Sequence, residues 1–256
     1  MSSLRRIEER LPLTALFALR ERISARLRFP NRKAHFEAIC AERKRDRLFV
    51  VGNAPSLRDL DLDHLNGEDY FLVKMAEHLR WSNNRTHPYY IAADTSVLKK
   101  YENGRPNLEA RHYFLAAKLE RHLDQDFVAT KKPFFFDPAK GGVRKRGLQE
   151  KPWISVPSGH TILVSAVQIG WALGYRRIYV IGCDLDYSGP DPYAYRTTEV
   201  ERERGLRDNR EMRERTNEEF AILRRKIERQ GGLLVNAGEG GRLESLPRVG
   251  FSSLFS

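Results

Sequence analysis

Four groups of residues in this chain combine side-chain type and spacing in ways that suit chemistry on a phosphorylated ligand. Asp184 and Asp186, two apart, follow directly on the apolar run Ile178-Tyr179-Val180-Ile181-Gly182. That run is of the kind expected for a strand buried on both faces, so the two carboxylates stand at its C-terminal end. Asp94, in Asp94-Thr95-Ser96, follows a second such run and offers a third carboxylate at a strand end. Carboxylates so placed can take a proton from a hydroxyl as a general base or hold a divalent cation, Mg2+ or Mn2+. The spacing Asp184-Leu185-Asp186 suits two carboxylates that share one cation and makes Asp184 the candidate metal ligand, although Asp61-Leu62-Asp63 repeats the spacing with no such role expected. His160 is a further acid-base candidate, at the start of a helix.

Backbone donors complete the set. Ser158-Gly159-His160-Thr161 opens a small-residue apolar helix that ends at Leu173-Gly174, and N–H groups at a helix start suit anions. Ser158 or Thr161 can cap it. Gly52-Asn53-Ala54-Pro55-Ser56 follows the buried-type run Arg47-Leu48-Phe49-Val50-Val51. It reads as the first strand-to-helix turn of a nucleotide-binding fold. There Gly52 allows close backbone approach to a ligand, Asn53 offers donor and acceptor, and Ser56 caps what comes next. Gly52, Asn53, Ser56, Asp94, Ser158, Gly159 and Thr161 are the expected nucleotide contacts; Asp184, Asp186 and His160 are the expected catalytic groups.

Apolar runs at 69–75, 88–93, 113–117, 133–136 and 233–236 supply further strands. Strand and helix alternate, which predicts a Rossmann-like, mostly parallel sheet with helices on both faces in one α/β domain. Residues 140–147 read as a cationic surface loop. The charged run 199–215 reads as a solvated segment, and Thr216-Asn217-Glu218-Glu219 as a capping box that opens the last helix. The domain is expected to span 47–256. Residues 1–46 form a basic extension, since 1–47 hold 13 Lys and Arg against 6 Asp and Glu, a net +7 of the chain's +11. Leu16, Leu19, Ile23 and Leu27 recur at helical spacing among arginines, so residues 4–28 suit either an anionic membrane surface or a protein face. No nucleic-acid motif is present. Two cysteines, Cys40 and Cys183, suit a reducing compartment, and no apolar run approaches the roughly 20 residues of a membrane span. A cytoplasmic protein is expected, peripheral on the inner membrane face if the basic helix binds lipid.

Residues 52–57, GNAPSL, resemble the GNGPSL turn of two related groups. These are the bacterial CMP-sialic-acid sialyltransferases and a family of archaeal 6-hydroxymethylpterin diphosphokinases and motility accessory factor proteins. Gly159-His160-Thr161-Ile162, Leu173-Gly174-Tyr175 and Ile181-Gly182-Cys183-Asp184 are similar to the second group's central pattern. Asn236-Ala237 through Gly240-Gly241-Arg242-Leu243-Glu244 and Pro247-Arg248-Val249 is similar to its C-terminal segment. The resemblance covers about residues 47–251. It implies a transferase with a nucleotide-activated donor. One outcome is a glycosyltransferase of surface-polysaccharide or lipopolysaccharide assembly, acting on a glycan or lipid-linked acceptor with a CMP-activated acidic sugar as one donor. Others are diphosphoryl transfer from ATP with Mg2+ to a hydroxymethylpterin, and a nucleotide-binding module without catalysis. The chain departs from the pattern in three places. Ala54 replaces a glycine, Lys74 and Asp94 stand where the sialyltransferases have asparagines, and no histidine follows His160 to match their general base.

Overall fold

The computed structural model describes residues 29–82, 85–99, 101, 103–139, 141–186, 193–195, 199, 203 and 209–255. The basic helix expected over residues 4–28, with its membrane contact, lies outside them. Helix α1 (Arg32–Ala41) precedes strand β1 (Arg47–Val51), and β2 (Asp69–Leu72), β3 (His87–Ala92) and β4 (Ala110–Ala116) follow. Helix α2 (Gln125–Lys131), β5 (Phe134–Phe136), β6 (Pro138–Ala139), α3 (Gly142–Arg146) and β7 (Val156–Pro157) lead to α4 (Ile162–Ala172). The chain ends with β8 (Arg177–Ile181), α5 (Asn209–Arg229) and β9 (Leu233–Asn236). Seven strands form one sheet in the order β5-β4-β3-β2-β1-β8-β9, every pair parallel. The remaining two, β6 and β7, pair with each other.

Alternation along the strands separates two packed faces. Tyr89 and Phe114 face the side of α1 and α4: Tyr89 bonds the Tyr175 hydroxyl at 2.8 Å, and Phe36 of α1 lies against Phe114 and Phe134. Tyr90 and Tyr113, one residue along, face the other side, where Tyr113 meets Phe127 of α2 edge-on at 5.0 Å. Apolar side chains thus fill both faces, which is why the strand sequences read as unbroken apolar runs.

Several expectations change. The links after β1, β2 and β3 are short 3-10 turns, such as Pro55–Asp59 and Leu62–Leu65, which bury one or two leucines each, not α-helices. The second strand stops at Leu72, because the chain reverses at Met75, whose φ is +67°. Residues 142–146 are a short helix, not a loop. Thr216 lies in the middle of α5, not at its start, and is fully buried. The boundary at residue 46 also moves: Phe36 and Ile39 of α1 belong to the core, so residues 29–46 are part of the domain.

Candidate active site

Strands β2 to β5 lie on one side of β1, and β8 and β9 on the other. Where successive connections depart in opposite directions, the carboxyl ends of the two central strands leave a crevice between them. A cleft of about 500 Å3 lies there, well within the range of small-ligand sites. Its wall comes from the residues just past the strands: Gly52-Asn53-Ala54 after β1, Val73-Lys74 after β2, Ala93-Asp94 after β3, Lys118 after β4 and residues 182–186 after β8. The start of α4, residues 158–163, forms the remaining side, with Tyr193 and Met212 at the rim.

All but one of the site residues expected from sequence line this cleft. The exception is Ser56, which lies behind the wall. Its N–H donates to Asp184 Oδ2 at 3.0 Å and its hydroxyl donates to Asp184 Oδ1 at 2.5 Å. Ser56 therefore does not cap the following turn, whose N-cap is Ala54 without a side-chain bond. Instead it joins the β1 turn to the β8 turn. The same junction explains Gly52: a Cβ there would stand 2.1 Å from the Gly182 carbonyl oxygen. The close approach that demands glycine is thus to the backbone just past β8.

The acidic loop is held by the same scaffold. Burial is the largest influence on Asp184 and raises its pKa, against the opposing Ser56 hydrogen bonds. Leu185 at φ +53° turns the chain, and Asp186 pairs with Arg242 Nε at 3.4 Å. One carboxylate thus serves Ser56 and the other an arginine. Among the described residues no group of three or more His, Cys, Asp or Glu is arranged to hold a metal. Asp184 and Asp186, the donors at the Mg2+ or Mn2+ site expected there, are held by Ser56 and Arg242. Asp94 Oδ1 accepts from the Ser96 N–H at 2.9 Å, the turn-capping role usual for Asp-Thr-Ser. That bond is the main reason its pKa is lowered, with the Lys74 and Lys118 charges adding to it.

At the start of α4, Thr161 is the N-cap and accepts from the Leu163 N–H, while Ser158 donates to the Ala139 carbonyl at 3.4 Å. The His160 N–H is not free for a phosphate. It donates to Glu219 Oε2 at 2.9 Å, and His160 Nδ1 lies 2.8 Å from Glu219 Oε1. Sequence reasoning missed Glu219 and Lys118. Glu219 lies 59 residues from His160 within an apparent capping box, and Lys118 follows a strand end with no motif around it.

No family model matches the chain, and no curated protein matches it in sequence. Solved structures similar to it include the Campylobacter jejuni sialyltransferase CstII in complex with a substrate analogue, cytidine-5'-monophosphate. Identity there is 17%, with 79% of this chain and 84% of that one covered and a TM-score of 0.48. CstII with trisaccharide acceptor and CMP matches at 16% identity, 79% and 85% coverage and a TM-score of 0.47. The monofunctional alpha-2,3-sialyltransferase Cst-I of Campylobacter jejuni matches at 14% identity, 79% coverage of both chains and a TM-score of 0.49. At these values no donor, acceptor or catalytic residue transfers from those enzymes to this chain by superposition.

Proposed function

We propose that this protein is a glycosyltransferase that binds a nucleotide-activated sugar in the cleft at the carboxyl edge of the sheet. The observation that carries the reading is the pair of cations in that cleft. Lys74 and Lys118, which form no ion pair among the described residues, share its wall with Asp94, Asn53 and the start of α4. Two ammonium groups beside a helix start suit the phosphate of a donor and the charge that grows on it as the sugar departs. Val73, Ile91 and Leu163 give the apolar wall that a base needs. Asn53 and Thr161 take the phosphate side, and Asp94 the ribose.

Glycosyl transfer is favoured over diphosphoryl transfer from ATP. The latter would draw on Mg2+ held by the nucleotide's own phosphates and one or two carboxylates, and the two candidates Asp184 and Asp186 are tied to Ser56 and Arg242. The acceptor is a glycan or a lipid-linked glycan, and the arginines of residues 4–28 suit the anionic surface on which a lipid-linked acceptor would lie.

Thermal-shift measurements with CMP, UDP, GDP and ATP, each with and without Mg2+, test the reading. Stabilisation by CMP or by one of the two nucleoside diphosphates without Mg2+, lost in Lys74→Ala and Lys118→Ala, is the expected result. Stabilisation by ATP with Mg2+ alone would replace it with diphosphoryl transfer. No response to any of the four would leave it without support.

A further inference from the structure

Glu219 is the most deeply placed carboxylate near the cleft, with its side chain 3% exposed, and both its oxygens are directed at His160. Burying a carboxylate costs several kcal/mol unless hydrogen bonds and charge offset it, so such a group is held for a definite partner. Its seat is shaped for it: a Cβ at Gly159 would lie 2.7 Å from Glu219 Oε2. Helix capping does not explain the arrangement, because Thr161 already caps α4 and the Glu219 bond goes to the residue before the cap. What the two bonds do together is fix one imidazole. Oε2 anchors the His160 backbone, and Oε1 faces Nδ1. The ring is 32% exposed and lines the cleft, with Nε2 on the edge away from Glu219.

The other groups in the cleft able to accept a proton are committed. Asp184 serves Ser56, Asp186 serves Arg242, and Asp94 is held by the Ser96 N–H beside two lysines. We infer that Glu219 is a positioning residue that holds His160 as the Nδ1–H tautomer, so that Nε2 presents its lone pair to the cleft as the general base. A buried carboxylate that accepts from one ring nitrogen selects the tautomer in this way and stabilises the imidazolium once the other nitrogen takes a proton. For its substrate the inference rests on the glycosyl-transfer reading. In that step an acceptor hydroxyl gives its proton to His160 Nε2 as its oxygen bonds the anomeric carbon. The bond from that carbon to the donor phosphate oxygen breaks, and the phosphate leaves with the electron pair. The charge is then on the imidazolium, beside Glu219, until the proton passes to water.

The dyad can be tested without a substrate. Long-range 1H–15N correlation spectra of the full chain labelled at its seven histidines, recorded at alkaline pH where the rings are neutral, report which ring nitrogens carry protons. His160→Gln assigns the signals by their loss. The expected result is a His160 ring protonated at Nδ1 and unprotonated at Nε2, with Glu219→Gln shifting it toward the Nε2–H form. A neutral wild-type ring in the Nε2–H form would overturn the inference, and so would a tautomer indifferent to Glu219→Gln. The wild-type spectrum decides even if the Glu219 variant fails to fold. With whichever nucleotide sugar supports transfer, His160→Gln should lower kcat by about 100-fold or more. Glu219→Gln should lower kcat while the Kd for CMP or UDP holds. If no nucleotide sugar is turned over but the tautomer is as expected, the proposed reaction fails and the dyad stands.

Discussion

Asp184 is held by Ser56, and the cost of breaking that contact separates a structural carboxylate from a catalytic one. Ser56→Ala removes the 2.5 Å hydroxyl bond and leaves the carboxylate with the Ser56 N–H at 3.0 Å. A hydrogen bond to a charged group is worth about 1.5–3 kcal/mol, which for a domain of this size lowers Tm by roughly 3–12 °C. In an Asp184→Asn background the same change removes a neutral bond worth about 0.5–1.5 kcal/mol. The double-mutant cycle should therefore show a coupling of about 1–1.5 kcal/mol. The sign with pH follows from the raised pKa of Asp184, which burial causes and the Ser56 bonds oppose. The folded state holds this proton more tightly than the unfolded chain does. The ionised carboxylate therefore costs stability above the unfolded-state pKa, and that cost is relieved as pH falls through the folded value. Ser56 supports the ionised form, so Ser56→Ala should be most damaging near pH 7.5 and milder once Asp184 is protonated. Urea midpoints of the four proteins at neutral and acid pH measure this. A coupling below about 0.3 kcal/mol, or a Ser56→Ala cost indifferent to pH, would refute the reasoning. Asp184→Asn should also keep its turnover well below its Tm if His160 is the base.

His87 is buried against the Tyr70 hydroxyl at 2.9 Å, and burial lowers its pKa to about 4. Folding thus favours neutral imidazole, and the associated stability, on the order of 3 kcal/mol, is complete above pH about 6.5 and lost as pH falls toward 4. Urea titrations should show that slope in the wild type and a flatter one in His87→Gln. Gly170→Ala places a methyl 2.2 Å from Leu48 Cδ2 and should cost about 1–3 kcal/mol by thermal melting. Combining it with Leu48→Val should cost less than the sum of the two. Replacing Arg20, Arg22, Arg26 and Arg28 with serine should abolish flotation with anionic liposomes if residues 4–28 carry the membrane contact, and equal flotation of both proteins would remove that contact.

The sheet was legible because each strand is buried on both faces and so announces itself as an apolar run. Val51 to Gly52 and Ile181 to Gly182 read as strand ends for the same reason, and they flank the cleft. The links were less legible. A helix start is written locally in caps and periodicity, but 3-10 turns like Leu62–Leu65 bury one or two leucines and leave no period to read. Residues 216–219 mislead in the opposite way. Thr-x-x-Glu is a capping box only if the helix begins there, and α5 began a turn and more earlier.

That misreading conceals how the chain divides its acids. Sequence draws attention to carboxylates that cluster at a strand end, because proximity in the chain is visible and proximity in space is not. Yet Asp184 and Asp186 stand where two turns and a glycine-rich loop must be joined, and both find partners within that junction. Their closeness to Ser56 and Arg242 makes them ties within that junction. Glu219 has no acidic neighbour near the cleft in its own helix turn except Glu218, which goes to Arg144. It lies behind the cleft wall because α5 packs against α4, buried with one imidazole before it. A general base needs an oriented ring with an unengaged nitrogen more than it needs a cluster of charge. Only a contact between residues far apart in the chain supplies that here.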